Sequence, residues 1–177
     1  MNHDRYSDDY ISAILSGHRV FAFVGASANP SRPSTFVMKY LLSKGYTVIP
    51  VNPGIAGQEI LGQTVYARLG DIPGPVEIVD IFRNSEAALG IVREAISLKD
   101  KLGIKVVWMQ LGVRNDTAAA EAEAAGLKVV MNRCPKIEYA RLSGEIGWAG
   151  VNTGLISSQR PKLAANAVQS HVISAKR

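Results

Sequence analysis

Gly25, Ala26 and Ser27 close a short apolar run, V-F-A-F-V, and Asn29, Arg32, Pro33 and Ser34 follow directly. That order suits the capture of a phosphate. A strand that opens through a glycine into a helix forms a nest where turn N–H groups and the positive end of the helix dipole point at one spot. Polar or cationic residues follow each later apolar run as well. Asn52 and Pro53 follow Val51, Arg83 follows Phe82, Gln110, Leu111 and Gly112 follow Met109, and Asn132, Arg133 and Cys134 follow Met131. This set holds no carboxylate and no histidine. General acid–base catalysis uses a group that titrates near neutrality, so the set reads as a binding site for an anion.

Other chemistries find less support. His3, His18 and His171 lie away from these strand ends and lack metal-ligand spacing, so they read as exposed polar residues. Ser27 sits in G-A-S-A-N, which is not a nucleophile elbow. An NAD site places an acid near the end of the second strand. Here V-I-P-V-N-P stands there, and no acid follows until Glu59. Cys134 before Pro135 reads as a packed small residue, with a reactive thiol as the alternative. Trp108 reads as core and Trp148 as an anchor for the C-terminal stretch.

The elements that must position these residues alternate between strand and helix patterns. A helix is expected over 6–16 and a strand over 19–24. A helix from Pro33 or Ser34 to Lys44 follows, closed by Gly45. The next strand is 46–51. Residues 52–75 are rich in Gly and Pro, with an extended piece around 60–66. A strand at 77–82 precedes a helix capped by Asn84 or Ser85 and running to Lys101. A strand at 105–109 precedes an alanine-rich helix from Asn115 or Asp116 to Ala125. A strand at 127–131 and a helix from Pro135 to Arg141 complete the series. Five βα units with continuous apolar strands predict an α/β fold, a Rossmann-like doubly wound parallel five-stranded sheet with helices on both faces. Ligands of such sheets bind beyond the carboxyl ends of the strands.

The bulk composition agrees. With 177 residues, 47% hydrophobic and 20% charged, the chain fits one globular domain plus a tail. The expected division is a nucleotide-binding domain over 1–142 and an extension over 143–177, loosely structured or packed on a neighbouring subunit. No apolar run reaches the roughly 20 residues that span a bilayer. The polar N-terminus does not resemble a signal peptide, and a single cysteine forms no disulfide framework. These features predict a cytoplasmic protein without membrane contact. The formal charge is +5, of which +3 falls from Ser143 onward. No basic stripe with interleaved aromatics accompanies it, so nucleic acid is not an expected partner.

The stretches V-G-A-S-A-N-P-S-R-P-S, V-I-P-V-N-P, I-L-G, D-I-P, V-D-I-F-R, V-V-W-M-Q-L-G-V and V-V-M-N-R-C-P-K-I-E together resemble the small stand-alone CoA-binding proteins. That family shares its Rossmann-like domain with the succinyl-CoA synthetase alpha subunit. The resemblance covers about residues 10–142 and implies binding of coenzyme A or an acyl-CoA. Carried over, it implies that Gly25, Ala26 and Ser27 hold the diphosphate, with Arg32, Pro33 and Ser34 nearby. Val51, Asn52 and Pro53 would border the adenosine, Phe82 and Arg83 the middle of the ligand, and Gln110, Leu111 and Gly112 the pantetheine. Asn132 to Pro135 resembles an N-C-P turn of the synthetases. This chain has Gly54-Ile55-Ala56 where the synthetases place a lysine. The resemblance does not extend to the domain that carries their phosphorylated histidine, so it implies binding without the catalytic half.

The leading expectation is therefore a non-enzymatic CoA or acyl-CoA binder that senses or carries its ligand. The alternatives are an NAD(P)-dependent oxidoreductase and a regulatory subunit of an acyl-CoA ligase. The expected protein partners are a second copy, as a homodimer, and an acyl-CoA enzyme.

Overall fold

Apolar runs become the strands of the main sheet, asparagines cap the helices at 85 and 116, and prolines open those at 33 and 135. In the computed structural model, residues 1–145 are described. The strands are β1 (Val20–Val24), β2 (Thr47–Val51), β3 (Glu59–Ile60), β4 (Gln63–Thr64), β5 (Ile78–Ile81), β6 (Val106–Met109) and β7 (Lys128–Val130). The helices are α1 (Asp8–Gly17), α2 (Pro33–Ser43), α3 (Ser85–Leu102), α4 (Asp116–Ala124) and α5 (Pro135–Leu142). The chain divides into two units, Met1–Lys136 and Ile137–Arg177. In the described part of the second unit, Arg141 donates to Glu138 at 2.8 Å. The expected extension, including Trp148 and His171, lies outside the described residues from 146 onward.

Within the first unit the sheet is parallel, in the order β2-β1-β5-β6-β7. This is the Rossmann-like doubly wound arrangement that the alternation predicts. The order reverses beside β1: the chain first steps outward to β2 and then crosses to β5 on the other side. The reversal opens a crevice above the carboxyl ends of β1 and β5. The expected extended piece near 60–66 is a two-stranded hairpin of β3 and β4. Its turn uses positive φ at Leu61 and Gly62. Tyr66 then bridges to Val51, so the crossover from β2 to β5 runs without an α-helix.

Side chains alternate across the sheet. Ala22, Val79, Ile81, Val107, Met109 and Val129 pack with Ala88, Val92 and Ala95 of α3 and with Ala118, Ala119 and Ala122 of α4. Phe21, Phe23 and Trp108 fill the opposite face and are fully buried, as are Ile14 of α1 and Leu41 of α2. The Trp108 indole donates to the Arg133 carbonyl at 2.8 Å, which satisfies its one polar group.

The N-terminal end of α1 meets the free edge of β7, while at its other end the Leu15 carbonyl accepts from the Tyr46 hydroxyl at 2.6 Å, just before β2. The Tyr10 hydroxyl donates to the Val129 carbonyl and accepts from the Val129 N–H, both at 3.2 Å. The Tyr6 hydroxyl accepts from the Met131 N–H at 2.7 Å. Burial pushes both phenols above their ordinary value. His3 joins this group, with Nδ1 2.9 Å from the Tyr6 hydroxyl and Nε2 3.5 Å from Glu123. His3 is buried, which corrects the expectation of an exposed histidine. The cause is the N-terminal segment, which folds back onto the sheet edge where the sequence shows only a polar terminus.

Candidate functional site

The crevice at the reversal of strand order holds a cavity of about 480 Å³, lined by Gly25, Ser27, Arg32, Pro33, Ser34, Phe82, Arg83 and Asn84. The first three elements of the sequence pattern build one wall. β1 ends at Val24, and Gly25 turns the chain at φ +90. A Cβ at Gly25 would lie 2.8 Å from Cδ and 3.1 Å from Cγ of Arg83, and 3.3 Å from the Phe82 carbonyl carbon. Glycine is therefore required twice, by its dihedral and by the arginine stem lying across it.

The loop from Gly25 to Arg32 is held by its own bonds. Gly25 N–H donates to Val51 O at 2.9 Å, and Ser27 N–H to the Ser34 hydroxyl at 3.1 Å. Thr35 Oγ1 donates to the carbonyls of Ser27 and Asn29, both at 2.9 Å. α2 then begins at Arg32 as N-cap and Pro33 as first residue, with no side chain capping it. α1, α3 and α4 are capped by Ser7, Asn84 and Asn115. Arg32 and Thr35 N–H donate to Asn29 O and Arg32 O, both at 3.0 Å, and Pro33 has no N–H, so among the described residues the start of α2 leaves the Ser34 N–H for another acceptor, at the positive end of its dipole.

The charges point the same way. Among the described residues, neither the Arg32 nor the Arg83 guanidinium has a hydrogen-bond or ion-pair partner, and both are exposed. Among the described residues, no carboxylate lines the cavity. Phe82 forms an apolar patch between them, its ring 4.8 Å from that of Phe23. An anion with an adjoining apolar part matches this lining.

Of the residues singled out by sequence, the cavity brings together Gly25, Ser27, Arg32, Pro33, Ser34, Phe82 and Arg83. It adds Asn84, which sequence reading assigned only as a cap. The other candidates lie at the same sheet edge with structural partners and do not line the cavity. Ala26 and Val51 are buried. Asn52 donates through Nδ2 to Ala26 O at 2.7 Å and accepts from Gly54 N–H at 2.9 Å, ahead of Pro53. Gly112 N–H donates to Asn132 Oδ1 at 2.8 Å, and Asn132 takes φ +52 to offer it. Leu111 is exposed and Cys134 is buried.

Gln110 reveals a group that strand-end reading missed. Its Nε2 donates at 2.9 Å to Oδ2 of Asp80, which is fully buried in the middle of β5. Asp80 Oδ1 has no hydrogen-bond partner. Burial raises the Asp80 carboxyl well above its ordinary range, against the Gln110 bond and a bond to the Ile81 backbone, which lower it. Its only sequence signal is an Asp inside the apolar run I-V-D-I-F.

Comparison with known proteins agrees with this geometry. A family model described as a CoA binding domain matches residues 19–140. The chain is 36% identical over 130 residues to the uncharacterized protein YneT of Bacillus subtilis (strain 168), covering 73% of this chain and 92% of that protein. A hypothetical protein from Pyrococcus horikoshii OT3 is 42% identical with a TM-score of 0.73, over 80% of this chain and 95% of that one. The dinucleotide-forming acetyl-coenzyme A synthetase 1 of Ca. Korarchaeum cryptofilum is 25% identical with a TM-score of 0.52. That match covers 64% of this chain and 25% of the synthetase.

Proposed function

The chain belongs to the CoA-binding domain family, and from this premise we propose that the β1/β5 crevice takes the diphosphate of coenzyme A or an acyl-CoA. One observation carries the reading: two guanidiniums without partners and an uncapped helix start converge on one cavity that no carboxylate lines. Arg32 and Arg83 would supply charge-assisted bonds to the phosphates. The Ser34 N–H in the first turn of α2 would supply a backbone donor. Phe82 would cover an apolar part of the ligand.

The role proposed is capture and release, as a sensor or carrier, without catalysis. The lining supports this, since Gly, Ser, Pro, Phe, Asn and Arg offer no group that titrates near neutrality. Asn52 supports CoA over NAD, because it is tied into the loop where an NAD site would offer a free carboxylate to ribose. A cytoplasmic location is proposed on the same footing. Among the described residues, no helix is long and apolar enough to cross a membrane.

Thermal unfolding with CoA, acetyl-CoA, 3′-dephospho-CoA, NAD and NADP tests the reading. A ligand at about 100 times its dissociation constant stabilises by roughly 2.7 kcal/mol. CoA should raise the melting temperature by a few degrees, NAD should not, and Arg83→Ala should lose the shift. A shift with NAD or NADP alone would overturn the proposal.

A further inference from the structure

Acidic residues are unevenly distributed along this chain. No Asp or Glu occurs between Asp9 and Glu59, while Arg19, Arg32, Lys39 and Lys44 all fall there. The outer face of α2 lies within that stretch. Phe36 stands on it at 54% exposure, with more than half of its surface open to solvent. Helical spacing surrounds it with Arg32 one turn before, and Lys39 and Tyr40 one turn after. Lys44 and Lys136 hold their ammonium groups 5.2 and 5.6 Å from the Tyr40 ring. Among the described residues Lys39 has no ion-pair partner. An exposed aromatic knob within a ring of cations has the composition of an interface centre, where aromatic anchors and arginine are enriched and acids are depleted.

We infer that the outer face of α2 is a docking surface for another protein, whose matching surface is acidic and has an apolar recess for Phe36. Charge complementarity selects this occupant. Nucleic acid binders rely on six or so phosphate contacts and on stacking platforms, and this face offers a handful of cations around one ring. A membrane surface calls for a broad apolar face, and a single phenyl is exposed here. A second copy joined by a two-fold axis would set these cations against themselves. The face starts at Arg32, which also lines the cavity, so the partner would sit within about one helical turn of the cavity mouth.

The test places the photo-reactive residue p-benzoylphenylalanine at Phe36 in the full chain, expressed in its native cells and irradiated. The expected result is a covalent adduct to one protein through an acidic segment, mapped by mass spectrometry. The adduct should be lost in the Lys39→Glu/Lys136→Glu chain. Raising salt in an extract before irradiation should also abolish it, which separates charge dependence from any folding loss in the variant. No protein adduct, an adduct undiminished by charge reversal and salt, or an adduct only to nucleic acid, lipid or a second copy would overturn the inference. No nucleotide enters the readout, so its failure is distinct from failure of the CoA reading.

Discussion

Two halves of one sheet edge start from similar residues and end differently. At the carboxyl ends of β1 and β5, Arg32 and Arg83 have no partner among the described residues, and α2 starts uncapped. At the carboxyl ends of β6 and β7, Asn115 caps α4, and Arg114 is fastened to Asp116 at 2.9 Å and to Asp4 at 2.6 Å. Arg133 lies 5.5 Å from the Tyr6 ring and donates to the Asp4 carbonyl. Both halves hold strand-end arginines and asparagines. What separates them is that α4 and the N-terminal segment, through Asp116, Asp4 and Tyr6, supply counter-groups to the second half. A cation at a strand end becomes a ligand-binding group only where the rest of the chain leaves it unanswered.

Replacing both crevice arginines, Arg32→Ala/Arg83→Ala, should have the largest effect. Each charge-assisted contact contributes about 1.5–3 kcal/mol, so calorimetric titration should show CoA affinity falling by roughly 100-fold or more. The melting temperature of the free protein should hardly change, because neither guanidinium supports the fold. Undiminished affinity would remove the contrast between the halves.

Gly25→Ala comes next. A residue with a side chain at φ +90 is strained by about 1–3 kcal/mol. Arg83 must also swing aside, since its Cδ would meet the new methyl at 2.8 Å. Denaturant unfolding should report the stability loss and titration a weakened ligand. Full affinity in this variant would show that the Arg83 stem need not lie on the turn.

Asp80→Asn probes, through pH, the seam between the halves, where Asp80 of β5 meets Gln110 beyond β6. The ordinary pKa is 3.8, and burial raises it in the fold. Below about pH 4 the group is neutral in both states and its contribution is fully present. As pH rises toward the folded value, the unfolded chain ionises first and stability is lost. Asn cannot ionise, so its advantage over Asp should grow as pH rises from about 4 toward the raised folded value. Urea unfolding across that range checks it, and a constant difference would place an ionised carboxylate in the core.

Arg114→Ala should have the smallest effect. Its partners raise its pKa, but the guanidinium is exposed, and surface pairs contribute little. CoA binding should match the unaltered protein in the same titration. A loss like that of the crevice pair would erase the distinction between fastened and unanswered arginines.

The elements were largely legible because their signals are local. Asn84 and Asn115 cap, each the first of the two residues the sequence offers at that start. The cavity was legible in part for the same reason, since Gly25 and Arg83 directly follow apolar runs and Arg32 directly precedes the Pro33 helix start. Other features depend on contacts distant in sequence. Asp80 meets Gln110 thirty residues on, and Asn132 reaches back twenty to Gly112. His3 is buried only because the terminus returns to β7. Pairings of this kind leave no period or spacing in the chain.

The tyrosine hydroxyls beside β7 bear on how short the protein can be. Val129 and Met131 would otherwise present open backbone donors and an acceptor along a hydrophobic strand. Such a strand recruits other strands. A chain trimmed to the family-matched stretch 19–140 would lack Tyr6 and Tyr10 while keeping the sheet. Its expected fate is concentration-dependent association through β7, which light scattering would register. Helix α1, which lies outside the family match, would then act as a guard of solubility.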